Sequence, residues 1–148
     1  MKRLFDASAL LNILRMLGEK TLAHIKGAYI LSLTPYEIGN ALWKEATLLN
    51  RISFEEATHL LSTIEFLLRY LNMVDPQNKQ LVLEIAHKLK VTYYDASYIV
   101  TAAELDAELV TDDSRLRKRI EEGREILRKI ITQEIALCTS TEIAVQTQ

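Results

Sequence analysis

Short apolar runs of strand character alternate with longer stretches of helix-period spacing along this chain, and that alternation constrains the fold more than any other feature. Leu4-Phe5, residues 28–33 and residues 108–111 read as strands. A brief extension over 91–94 and a last strand drawn from Ile130, Ile131, Ile135 and Leu137 add to them. Between these runs, Leu10, Ile13, Leu14 and Leu17 repeat at the spacing of one buried helix stripe, which Gly18 ends. A short helix over 19–26 ends at Gly27. A longer one from Ser53 carries Ala57, Leu60, Leu61, Ile64, Leu68 and Leu71 on one face, with Phe66 and Tyr70 off it. An apolar excess of that kind implies deep burial or a covering partner. Asp75-Pro76 opens a helix striped by Val82, Ile85, Ala86 and Leu89, and Ala96, Ile99, Val100 and Ala103 stripe the next. Strands alternating with helices predict an α/β fold: a short, mostly parallel sheet flanked by many helices.

With 148 residues the chain suits one core, predicted here as a single domain over residues 1–140 with a frayed tail over 141–148. A net charge of −2 is not that of a protein holding nucleic acid by charge alone, so such an activity needs a local patch or bound metal ions. The single cysteine, Cys138, excludes an internal disulfide and a multi-cysteine zinc site, and it reads as an inert small hydrophobe. No signal-peptide pattern opens the sequence and no run of about 18 apolar residues occurs, so the expected compartment is the cytoplasm, with no membrane partner.

Four acids fall at helix starts. Asp6 follows the first strand, Glu37 lies in the first turn of a helix opened by Thr34-Pro35, Asp95 stands at the start of another helix, and Asp113 follows the run Leu109-Val110-Thr111. Ligands of open α/β sheets bind outside the carboxyl ends of the strands, which is where such acids would meet. Each acid also has a purely local explanation as a helix cap. The local explanation is strongest for Glu37, which completes a capping box with Thr34. Other chemistries fit less well. His24, His59 and His87 are scattered, and neither a Gly-x-Ser-x-Gly elbow nor a glycine-rich phosphate loop is present. An aspartyl phosphatase wants a second acid two residues after the first, where this chain has Ser8.

The stretches Phe5-Asp6-Ala7-Ser8, Pro35-Tyr36-Glu37-Ile38-Gly39-Asn40, Tyr94-Asp95-Ala96-Ser97 and Thr111-Asp112-Asp113-Ser114-Arg115 together resemble the PIN-domain signature, closest to the VapC-type toxins of toxin–antitoxin pairs. The resemblance implies a PIN-like three-layer fold and an Mg²⁺- or Mn²⁺-dependent endoribonuclease. It assigns catalysis to Asp6, Glu37, Asp95 and Asp113, with metal held by Asp6, Asp95 and Asp113 and with Glu37 and Asp112 as further candidate ligands. Ser8, Asn40 and Thr111 match positions expected to support the acids by hydrogen bonds. The basic run after Asp113 offers Arg115, Arg117 and Lys118 as RNA contacts, or alternatively a solvated face balanced by Glu121, Glu122 and Glu125. Expected partners are RNA, a small antitoxin and a second copy of the chain. The rival expectation is a PIN scaffold that binds RNA or protein without cleaving it.

Overall fold

The computed structural model describes residues 1–146. The order of elements is β1 (Arg3–Phe5), α1 (Ala7–Leu17), α2 (Thr21–Ile25), β2 (Tyr29–Leu31), α3 (Thr34–Trp43), α4 (Phe54–Leu68), β3 (Asn72–Val74), α5 (Lys79–Leu89), α6 (Tyr93–Leu105), β4 (Glu108–Val110), α7 (Ser114–Glu122), α8 (Arg124–Ile130), β5 (Leu137–Cys138) and α9 (Ser140–Val145). A π-helical turn over Lys44–Leu48 continues α3.

The five strands form one sheet in the order β3-β2-β1-β4-β5, and every pairing is parallel. Side chains of a strand alternate between faces, and both faces are apolar here. Leu4, Leu31 and Leu109 enter one core with Val82, Ile85, Ile99 and Leu116. Phe5, Ile30 and Val110 enter the other with Leu10, Ile38, Ile64 and Ile143. Helices α5 to α8 therefore cover one face and α1, α3, α4 and α9 the other, which gives the expected three layers. The chain leaves β1 for β2 and β3 on one side, then returns to β4 and β5 on the other. The switch in strand order lies between β1 and β4, where a crevice opens at the strands' carboxyl ends.

Several local expectations give way. Asp75-Pro76 does not open α5. Asn78 caps that helix by accepting from the Leu81 amide at 3.0 Å, while Asp75 Oδ1 accepts from the Ser32 hydroxyl at 2.7 Å and ties the end of β3 to the end of β2. Residues 91–94 form no strand: Thr92 is the N-cap of α6, and Tyr93 and Tyr94 are its first residues. β3 carries too few apolar residues to show in the sequence, since Asn72 and Met73 on this edge strand are exposed. The tail is not frayed where it is described. Residues 140–145 form α9, capped by Thr139, and Ile143 and Ala144 are buried in the core beneath it; residues 147 and 148 lie outside the described residues. α4 buries Ala57, Ile64 and Leu67 but leaves Phe54, Leu61 and Phe66 exposed, so the apolar excess read from its sequence is an uncovered surface. Among the described residues no helix is long and apolar enough to cross a membrane.

Candidate active site

Asp6 sits at the switch point because its amide donates to Val110 O at 3.1 Å, so β1 ends alongside the end of β4. It is the N-cap of α1: Oδ1 accepts from the Ala9 amide at 2.9 Å and from the Ser8 hydroxyl at 2.7 Å. Thr111, fully buried at the end of β4, also hydrogen-bonds the Asp6 carboxylate. Burial nevertheless wins. With 6% of its surface exposed, Asp6 is pushed up to about 6, chiefly by loss of hydration, with Glu37 adding repulsion.

Glu37 reaches the same place by a route the sequence did not show. The capping box does not form: Leu33 is the N-cap of α3, and the Thr34 hydroxyl turns back to accept from the Leu31 amide at 3.1 Å and to bond the Tyr98 hydroxyl at 2.7 Å. Tyr98, buried in α6, donates to Glu37 Oε1 at 2.5 Å. Glu37 is therefore held by a phenol from across the crevice. Its pKa is raised by burial, opposed by the Tyr98 bond, and raised further by Asp95 and Asp113. The Tyr98 phenol is itself driven upward by burial and by Glu37, so it remains a donor.

Asp95 lies in the first turn of α6, where its amide donates to the Thr92 cap at 3.0 Å. Its pKa is raised by burial and by Asp113, against a Thr92 hydrogen bond and the Arg115 charge. Asp113 caps α7 through Oδ1, which accepts from the Arg115 and Leu116 amides at 2.9 and 3.2 Å. Both cap bonds use one oxygen, so capping and site duty are compatible in one carboxylate. The four acids form a connected electrostatic group: Asp6 feels Glu37, Glu37 feels Asp95 and Asp113, and Asp95 feels Asp113.

The structure separates the adjacent acids. Asp112 Oδ2 accepts from Asn12 Nδ2 at 2.7 Å and from the Ser140 hydroxyl, and its Oδ1 accepts from the Ser140 amide at 2.8 Å. That carboxylate fastens the end of β4 to α1 and α9. Ser8 joins the two regions, since it donates to Asp6 and accepts from the Asp112 amide at 3.1 Å. Thr111 likewise accepts from the Asp113 amide at 3.1 Å. Asn40 is exposed, and no described hydrogen bond connects it to the acids. Arg115 lines a cavity with Asp95 and Asp113, whereas Arg117 and Lys118 do not. Sequence reasoning missed Thr34, Thr92 and Tyr98. Only Tyr98 left a trace, as a bulky polar residue one helical turn after Asp95. Cys138 is buried and its thiol is pushed up to about 12 by burial, consistent with an inert core residue.

The donor set fits a hard divalent cation. Four carboxylates offer oxygen ligands, and each raised pKa marks a place where added positive charge is favourable. Among the described residues no three Asp, Glu, His or Cys side chains converge as a ready-made ligand shell. Mg²⁺ retains several of its waters and takes one or two carboxylates, so it does not require such a shell.

A five-stranded parallel sheet with an acidic crevice at its switch point defines a class of α/β domain, and sequence comparison identifies the class. The PIN domain family model matches residues 3–123, and the chain belongs to that family. A relative named exonuclease VapC9, from Pyrobaculum aerophilum, is 40% identical over 113 residues, covering 76% of this chain and 81% of its own. Ribonuclease VapC1 from Mycobacterium tuberculosis is 36% identical over 80 residues, which is 54% of this chain and 58% of the relative. The crystal structure of PAE2754 from Pyrobaculum aerophilum superposes with a TM-score of 0.72 at 31% identity, covering 99% of this chain and 88% of that one.

Proposed function

We propose that the protein is a divalent-metal-dependent ribonuclease, an endonuclease acting as the toxin of a toxin–antitoxin pair. The observation that supports this reading is the electrostatic grouping of Asp6, Glu37, Asp95 and Asp113 at the switch point, each tied to another and three of them with raised carboxyl pKa values. Asp6, Asp95 and Asp113 hold Mg²⁺ or Mn²⁺, directly or through water. The ion, when bound, supplies counter-charge for an RNA phosphate and polarises its phosphoryl oxygen. Glu37, fixed by Tyr98, orients the attacking water. Ser8 and Thr111 keep the Asp6 carboxylate in place. The exposed apolar side chains Phe54, Leu61 and Phe66, with Trp43, Leu48 and Leu49, suit a covering antitoxin or a second copy of the chain.

The test incubates purified protein, freed of any antitoxin, with single-stranded RNA in Mg²⁺ or Mn²⁺ and in chelator, beside Asp6→Asn. Cleavage by the wild type with metal alone is expected. Equal cleavage by the variant, or cleavage in chelator, would sink the metal-carboxylate mechanism, and no cleavage of any RNA would favour a binding scaffold. A second reading has a specific support: the relative at 40% identity is named an exonuclease. Circular RNA separates the two modes, because only an endonuclease opens it.

A further inference from the structure

Two of the acids, Asp95 and Asp113, share a cavity with a cluster of cations, of which Arg115 also lowers the Asp95 pKa. That cavity is also lined by Lys90, Thr92, Arg115 and Arg119. The three cations come from two separate places: Lys90 from the end of α5, Arg115 and Arg119 from successive turns of α7. Two arginines elsewhere are closely paired, Arg15 with Glu45 at 2.6 Å and Arg124 with Glu121 at 2.8 Å. In the cavity, Arg119 only approaches Glu122, at 3.9 Å with both side chains half-exposed. Among the described residues Lys90 and Arg115 enter no ion pair. Three cations around one concavity without close partners present donors to an anion.

The backbone gives a second, independent sign. Three non-glycine residues have left-handed φ among the described residues: Asn50, Lys90 and Asp106. Asn and Asp tolerate that conformation through their short polar side chains. Lysine has no such relief, and Lys90 holds φ 57° and ψ 44° as the C-cap of α5, a place that glycine or asparagine suits better. The least suitable residue of the three is the one whose side chain borders the acid site. Local strain kept at such a position points to use.

We infer that Lys90, Arg115 and Arg119 form a subsite for one backbone phosphate of the RNA strand, next to the phosphate that faces the acids. The inference rests on the ribonuclease reading for the identity of the strand, and it adds what grips that strand. A phosphate here would also neighbour Asp95 and Asp113, and counter-charge at the acids removes that repulsion. Arg117 and Lys118 do not line this cavity; Lys118 lines a neighbouring one with Arg115, Arg119 and Glu122.

The test measures binding, not cleavage, so it stands apart from the nuclease assay. In the full chain carrying Asp6→Asn, fluorescence anisotropy follows a labelled single-stranded RNA in Mg²⁺ across a salt series. Lys90→Asn, Arg115→Gln and Arg119→Gln are compared singly and together, with Lys129→Gln on α8 as the charge-matched control. Each single change should weaken binding roughly three- to tenfold at 0.1 M salt, since each removes one partly exposed charge-assisted contact. Because all three cations hold one phosphate, the triple variant should reduce the salt slope by only about 0.7. Lys90→Asn should melt at or above the parent temperature, which separates lost binding from lost fold. RNA with and without a 5′-phosphate should bind alike. The inference is overturned if the triple variant matches the control, if its slope falls by about 2 as for three separate phosphates, if only 5′-phosphorylated RNA binds, or if the parent shows no salt-dependent binding.

Discussion

Replacing Asp6 by Asn should make the metal-free protein more stable, and by an amount that depends on pH. Asp6 rises from 3.8 to about 6 on folding because burial disfavours its charge. A carboxyl with a raised folded pKa binds more protons in the native state than in the unfolded one between those values. Its ionisation therefore costs no stability below about pH 4, and an increasing amount as pH rises through about 6. Above that the cost is level at about 3 kcal/mol, the free-energy equivalent of the shift. Asn keeps an oxygen for the Ala9 amide and the Ser8 hydroxyl. Its amide group must then turn the Thr111 hydroxyl from donor to acceptor, and that adjustment costs on the order of 1 kcal/mol. The net gain is about 2 kcal/mol at pH 7.5, or roughly 4–8 °C in Tm for a domain of this size. Differential scanning calorimetry of both proteins in chelator, from pH 4 to 8, measures it. The variant should melt slightly below the wild type at pH 4, cross it at about pH 4.5 and rise above it as pH increases. Adding Mg²⁺ should then raise the wild type's Tm more than the variant's, which keeps Asp95 and Asp113. A variant equally or less stable at pH 7.5, with no divergence, would refute the claim that Asp6 is a carboxylate kept buried at a cost for the sake of a ligand.

Three other outcomes follow from particular contacts. Tyr98→Phe should cost about 1 kcal/mol through loss of the bonds to Glu37 and Thr34; in RNA hydrolysis it should lower kcat more than it raises KM, read by steady-state kinetics. Asp112→Ala should lower stability by about 1–3 kcal/mol, because the Ser140 amide and Asn12 lose their acceptor; urea unfolding measures the loss, and the Mn²⁺ affinity of the folded protein should stay as in the wild type. Metal affinity itself should weaken as pH falls through about 6, where Asp6 takes up its proton; calorimetric titration of Mn²⁺ at pH 5.5 and 7.5 checks the direction.

The parts of the fold that were legible are those written in apolar periodicity. The stripe of α1, the strands β1, β2 and β4, and the start of α4 at Ser53 all stand where the residues place them. β3 was hidden because an exposed edge strand needs few apolar residues, and α9 because two buried apolar side chains in six make no periodic signal. At the site, the rule that parallel strands end at one edge speaks for Asp6, Glu37 and Asp113, which follow β1, β2 and β4, but not for Asp95, whose helix follows α5. The acids' hydrogen-bond partners were not legible. The Thr34-Pro35-Tyr36-Glu37 pattern satisfies a capping box on paper, yet the Thr34 hydroxyl finds Tyr98, which is 64 residues away and beyond any local rule. Asp112 and Asp113 are equivalent in composition, and only the arrival of α9 at Asp112 decides which one turns toward the crevice.

That division of labour gives the most direct measurement of the central claim. RNA cleavage is followed in Mn²⁺ for the wild type, Asp113→Asn and Asp112→Asn, each at a temperature where unfolding controls show it folded. If Asp6, Glu37, Asp95 and Asp113 are one metal-dependent site, Asp113→Asn loses most of the cleavage and Mn²⁺ no longer raises its rate, while Asp112→Asn keeps a wild-type Mn²⁺ dependence. Loss of cleavage in Asp112→Asn alone, with Asp113→Asn unaffected, would contradict the assignment.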